Sequence, residues 1–107
     1  MALTVAVPAA VAGGQSATLV GTVGPGFTIT LTQGGKKVTA LKAGSYTIKI
    51  SDKSNIHNFH LSGPGLNKTT SVPKVYSTTW KVTLKKGTYK FVCDPHVSIM
   101  HGSVKVS

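Results

Sequence analysis

The sequence predicts an all-β domain of about eight short strands, packed as an antiparallel sandwich or barrel. Three observations carry this. Apolar residues alternate with Thr, Lys and Ser in short runs, as at 27–32, 46–51 and 80–84. Turn formers punctuate the chain between such runs: Gly24-Pro25-Gly26, Gln33-Gly34-Gly35-Lys36, Asp52-Lys53-Ser54-Asn55, Gly63-Pro64-Gly65 and Lys85-Lys86-Gly87. No stretch repeats its apolar residues at the 3.6-residue period of a helix.

Taken in order, Gly13-Gly14-Gln15-Ser16 breaks the chain and residues 17–23 form the first strand of the domain. Phe27, Ile29 and Leu31 alternate with threonines, so one face is buried and one is wet. A hairpin-type turn leads into a short strand over 37–41. Tyr46, Ile48 and Ile50 make the next half-buried strand, and residues 56–61 another, which carries His57 and His60. Residues 66–75 read as a longer polar loop. Trp80, Val82 and Leu84 alternate with Lys81 and Thr83; Tyr89 to Cys93 follows, and Val104 and Val106 close the chain as a last strand.

One internal echo stands out. Leu41-Lys42-Ala43-Gly44-Ser45-Tyr46 matches Leu84-Lys85-Lys86-Gly87-Thr88-Tyr89, and each copy launches a strand ahead of a histidine-bearing segment. Two copies are too few for a repeat array. They read as two similar turns, each with a tyrosine bonding back across its own corner.

With 107 residues the chain can bury one core. Residues 17–107 form that domain. Residues 1–16 are either the remnant of an export leader or a first strand: Ala10-Val11-Ala12 resembles a leader cleavage site, but no Lys or Arg precedes it. On that resemblance the expected location is extracytoplasmic, periplasmic or secreted. No run is long enough to span a bilayer. Twelve Lys, no Arg and only two acids, Asp52 and Asp94, give a formal charge of +10. Such a field favours acidic partners: an acidic redox protein, anionic headgroups or acidic wall polymers. Nucleic acid is disfavoured, because the bidentate Arg fork is absent and no aromatic-basic motif stands out. A lone Cys makes no internal disulfide.

That Cys sits in the segment with the most chemistry, Cys93-Asp94-Pro95-His96-Val97-Ser98-Ile99-Met100-His101-Gly102. Its C-x2-H-x3-M spacing puts a thiolate, an imidazole and a thioether within eight residues. Soft sulfur with imidazole selects copper, and one more imidazole completes a trigonal His2Cys site with a long axial Met. Ile56-His57-Asn58-Phe59-His60 is the best source for it. On a strand His57 and His60 would face opposite sides, so only one can line the site.

His57-Asn58, Cys93-Asp94-Pro95-His96 and Met100-His101-Gly102 together resemble the cupredoxins, the blue copper proteins of the plastocyanin and azurin family, over residues 17–107. The resemblance implies an eight-stranded Greek-key β-sandwich with one type 1 copper ion. It nominates His57, which precedes an Asn as the family's first ligand does, with Cys93, His96 and Met100 as the other metal ligands. The His96-to-Met100 spacing is azurin-like, whereas Cys93-to-His96 follows plastocyanins and amicyanins, so the loop is a hybrid. His60 and His101 are left as surface or loop-covered residues.

The resemblance also gives roles to non-ligands. Asn58 is expected to donate its N–H to the Cys93 sulfur and to tie its side chain to the loop near Asp94. Pro95 lacks an N–H and so withholds a second bond from that sulfur. Asp94, if its carboxylate points inward, favours Cu(II). His96 is the expected electron port. Val97 and Ile99, with the turns at 24–26 and 63–65 nearby, form an apolar docking patch for a transient partner. The implied function is that of a monomeric one-electron carrier, not an enzyme, with copper sequestering or delivery as the alternative. Structural zinc is disfavoured by the Met. A cysteine nucleophile is disfavoured because Cys93 ends a strand with no helix expected after it.

Overall fold

The alternating runs form strands in two sheets. The computed structural model describes residues 17–107; the expected N-terminal segment 1–16 lies outside the described residues. The strands are β1 (Ala17–Val23), β2 (Ile29–Gln33), β3 (Lys36–Lys37), β4 (Ala40–Leu41), β5 (Gly44–Asp52), β6 (His60–Gly63), β7 (Leu66–Thr69), β8 (Tyr76–Leu84), β9 (Gly87–Val92) and β10 (His101–Val106). One sheet has the order β3-β2-β1-β5-β8 and the other β4-β10-β9-β6-β7. Each is hydrophobic on its inner face, and Leu19, Ile48, Ile50, Leu61, Tyr89 and Val104 fill the space between them.

Five expectations change in detail. The strand expected over 37–41 is divided: Lys36–Lys37 pairs with β2, and Ala40–Leu41 pairs with β10 in the opposite sheet. Over that switch the backbone stays bonded, Val38 N–H to Leu31 and Lys105 N–H to Thr39. The sandwich is mixed, because β1 pairs parallel with β5, and β10 parallel with β4. The polar stretch at 66–69 is an edge strand bonded to β6. Only Leu66 in it is apolar, so an edge exposed on both faces left no alternation to read. Phe27 lies outside β2, which starts at Ile29. A short 3-10 turn, Asp94–His96, follows Cys93 where no helix was expected.

The largest difference concerns 56–61. Only His60 and Leu61 of that run are in a strand; His57 lies in the loop before it. Local bonds occupy the backbone here. The buried Asp52 carboxylate accepts from Ser54 N–H at 3.2 Å and from the Thr70 hydroxyl at 3.1 Å. Ser54 Oγ accepts from Ile56 N–H, and Thr70 Oγ1 accepts from Phe59 N–H at 2.8 Å. Donors satisfied this way have no need of a ladder partner.

Both tyrosine corners are present. Tyr46 donates to the Lys42 carbonyl at 2.6 Å, and Tyr89 accepts from Lys85 N–H at 2.8 Å, each four residues back. Tyr89 also donates to Pro64 O at 2.7 Å. At the other end of β9 the core becomes aromatic. Phe59 and Phe91 stack with centroids 5.8 Å apart and planes 4° from parallel. Glycine admits this stack: a Cβ at Gly102 would stand 2.3 Å from the Phe91 ring, and one at Gly21 would stand 2.9 Å from Phe59. Phe59, Phe91 and Gly102 each lie within two residues of a candidate ligand, His57, Cys93 and Met100 respectively, so this packing ties the two ligand-bearing segments together.

Candidate metal centre

The second ligand loop is shaped by its own backbone. Cys93 leaves β9 extended, and Pro95, with φ already near the helical value, lies in the first turn of the short 3-10 segment. His96 N–H donates to Cys93 O at 3.0 Å, and the Ile99 and Met100 N–H groups both donate to His96 O. Cys93 N–H donates to Met100 O at 3.0 Å and closes the loop at its neck. These bonds bring the Cys93 and His96 side chains together and bury Met100.

His57 arrives from the other loop. Its Nδ1 stands 3.1 Å from His96 Nδ1 and 3.6 Å from Cys93 Sγ, and His96 Nδ1 is also 3.6 Å from that sulfur. Two imidazole nitrogens facing each other at this distance need a proton or a cation between them. A point equidistant from the corners of such a triangle lies about 2 Å from each, the length of a metal–imidazole bond. His57 and Cys93 are fully buried, whereas His96 is partly exposed. A buried thiolate and two imidazoles around one point fit copper.

A layer of polar groups holds the loops in register. Asn58 Nδ2 donates to Asp94 Oδ2 at 2.8 Å and to Thr69 Oγ1 at 2.9 Å, and Asn58 Oδ1 accepts from Asp94 N–H at 2.8 Å. This is the side-chain tie expected of Asn58. Asp94 does not point inward: its carboxylate is turned to Asn58 and to His60, whose Nδ1 lies 3.0 Å away, and it is 51% exposed. Burial would raise the Asp94 pKa, but the bonds from Asn58 and His60 and the His60 charge together hold it below the ordinary carboxylate value. His60 is shifted up by its hydrogen bond to Asp94, then by that to Asn67, against a smaller effect of burial. His101 is exposed and donates Nδ1–H to Val97 O at 2.8 Å.

Around the centre, Val97 and Ile99 are more than half exposed. Gly24 also lies beside the site, since a Cβ there would come within 3.3 Å of the His57 ring. The turn at 63–65 is not nearby as expected: Gly63 and Pro64 pack on Tyr89 and Gly87, at the start of β9, and the site lies past its end. Phe27 takes the vacant place in the patch. Its ring stands edge-on to both His57 and His96, with centroids 5.2 and 5.0 Å away, and is 56% exposed. Alternation had assigned it to a buried strand face. The signal available in the sequence was the Gly24-Pro25-Gly26 turn just before it.

The family model for copper binding proteins of the plastocyanin/azurin family matches residues 11–107. The chain belongs to that family. Its fold is that of a cupredoxin and its cofactor is copper. Reduced rusticyanin is similar in structure, with a TM-score of 0.65 and 21% identity over 88% of this chain and 81% of that one. The Cu(I) form of an amicyanin mutant gives 0.51 and 21%, over 87% and 85%. At such identities the likeness shows the fold. No curated protein sequence matches the chain. His57, Cys93 and His96, with Met100 buried in the same loop, make the arrangement typical of a type 1 copper site. Among the described residues no helix is long and apolar enough to cross a membrane.

Proposed function

We propose that this cupredoxin is a one-electron carrier that docks transiently on a redox protein, with His57, Cys93, His96 and Met100 as its ligands. The observation that carries this is the buried triangle of two Nδ1 atoms and one Sγ, held by a loop clipped through Cys93 N–H and Met100 O. Copper held there supplies the Cu(II)/Cu(I) couple. The chain does the rest. Cys93 and His57 lie out of water, and the loop bonds resist the rearrangement that a change of oxidation state would otherwise cause. Asn58 holds the two loops together through its side chain, and Pro95 has no N–H to offer the Cys93 sulfur.

His96 is the electron port, because it alone of the three clustered ligands reaches solvent. Phe27, Val97 and Ile99 surround it with apolar surface, which suits a small, short-lived interface. The +10 charge steers an acidic partner, and the protein works as a monomer outside the cytoplasm, consistent with the leader-like Ala10-Val11-Ala12.

The test is repeated reduction and reoxidation in the presence of a competing Cu(I) chelator. A carrier keeps its copper and recovers its visible band each cycle. Loss of Cu(I) to the chelator would replace this reading with copper delivery. Association with an acidic redox protein should slow as salt rises; a salt-independent rate would remove the steering and leave the copper site standing.

A further inference from the structure

His60 is not a ligand, yet it is bonded on both sides. Its Nδ1 lies 3.0 and 3.1 Å from the two Asp94 oxygens, and its Nε2 lies 2.5 Å from Asn67 Oδ1. All three neighbours are acceptors, and a neutral imidazole has one N–H to give. With Asn67 Oδ1 facing Nε2, only the imidazolium satisfies both sides at once. The pair contributes little to folding, because Asp94 is half exposed. Its place in the chain is more telling, since Asp94 directly follows Cys93 and its N–H and carboxylate both grip Asn58, the neighbour of His57.

We propose that His60 is a positioning residue for the copper loop: as an imidazolium clamped between Asp94 and Asn67, it turns the Asp94 carboxylate away from the Cys93 thiolate and offsets its charge. The inference rests on the copper reading given above. Without the clamp, a free carboxylate next to the thiolate favours Cu(II); with it, that bias is removed. The raised pKa of His60 agrees with a persistent imidazolium.

Among the described residues, Asp94 is the only anionic group that faces His60. On the same face of the sheet, β9 presents Lys90 and, across Val92, β10 presents His101; β7 presents Asn67 and Thr69 beside His60, and the intervening Lys68 is on the opposite face. Every titratable group among these is basic and opposes protonation of His60. Asp94, as the one carboxylate there, favours it together with the accepting Asn67 Oδ1.

The test has two arms. In the metal-free protein, nitrogen NMR at neutral pH should find both His60 ring nitrogens protonated, and Asp94→Asn should shift the His60 titration to lower pH. In the copper-loaded protein, His60→Gln should lower the reduction potential, and the same change should have no effect in an Asp94→Asn background. An unprotonated Nε2, with the Asn67 amide turned to donate to it, would overturn the proposal. So would a potential that is the same in His60→Gln and wild type. Failure of the copper reading looks different: the wild-type protein would then show no thiolate-to-copper band at all, and the NMR arm would still decide whether the clamp exists.

Discussion

The two ligand loops are each anchored by one of the chain's two carboxylates, in opposite surroundings. Asp52, at the root of the His57 loop, is 1% exposed and is bonded by neutral donors, Ser54 N–H and the Thr70 hydroxyl. Asp94, inside the Cys93 loop, is half exposed and paired with a histidine. Burial pushes the Asp52 pKa up, against its hydrogen bonds and the His57 charge, whereas the bonds around Asp94 pull its pKa down. The contrast separates two tasks. Asp52 replaces a sheet ladder and fixes where His57 sits, which concerns stability. Asp94 lies in a loop that already closes on its own backbone, and on our proposal its task concerns the potential.

The most direct way to break the comparison is to remove each carboxylate in turn. Asp52→Ala leaves buried donors without partners, at a cost of about 1–3 kcal/mol each. Asp94→Ala should cost no more than about 1 kcal/mol, as for an exposed pair. Urea midpoints of the metal-free variants measure both, and equal losses would erase the distinction.

Next comes the seat that joins the loops. Gly102→Ala drives a methyl group into the Phe91 ring and should destabilise by about 1–3 kcal/mol, whereas Gly26→Ala, which meets nothing within 4 Å, should be close to neutral. A neutral Gly102→Ala would mean that the stack yields easily and does not lock the loops.

The smallest effects are in pH dependence, and their signs are opposite. Asp52 binds its proton more tightly folded than unfolded, so stability falls as pH rises from the ordinary value of 3.8 through its raised value. Asp94 binds its proton less tightly when folded; its contribution is present above 3.8 and is lost as pH falls through its lowered value. His60 contributes below its ordinary 6.5, and that contribution is lost as pH rises through its raised value. Stability of the metal-free protein against pH should therefore lose the fall that begins at 3.8 in Asp52→Asn and its acid-side rise in Asp94→Asn, while the fall above 6.5 from His60 remains in Asp52→Asn. Identical profiles for the two variants would contradict the assignment.

Much of the site was legible because its signals are local. C-x2-H-x3-M keeps three ligand types within one loop, and His57-Asn58 identified the remaining imidazole even though the strand expected to carry it is a loop. The tyrosine corners were legible for the same reason, since each bond spans four residues. What escaped depends on distant partners. The parallel pairing of β1 with β5 follows from a sheet switch at residues 38–40, which alternation does not encode. Asp52 read as a turn former because its partner Thr70 is 18 residues away. The His60–Asp94 contact spans 34 residues, so the direction of the Asp94 carboxylate was left open by the sequence. Phe27 shows the limit of period-two reasoning: its alternation with Ile29 and Leu31 is real, but the strand starts two residues after it.

The central claim is that His57, Cys93 and His96 bind one copper through the thiolate. Adding Cu(II) to the purified protein and recording the visible spectrum tests it most directly. One equivalent should produce an intense thiolate-to-copper band that is absent in Cys93→Ser. A wild-type protein that takes up copper without that band, or a band that survives Cys93→Ser, would contradict the account.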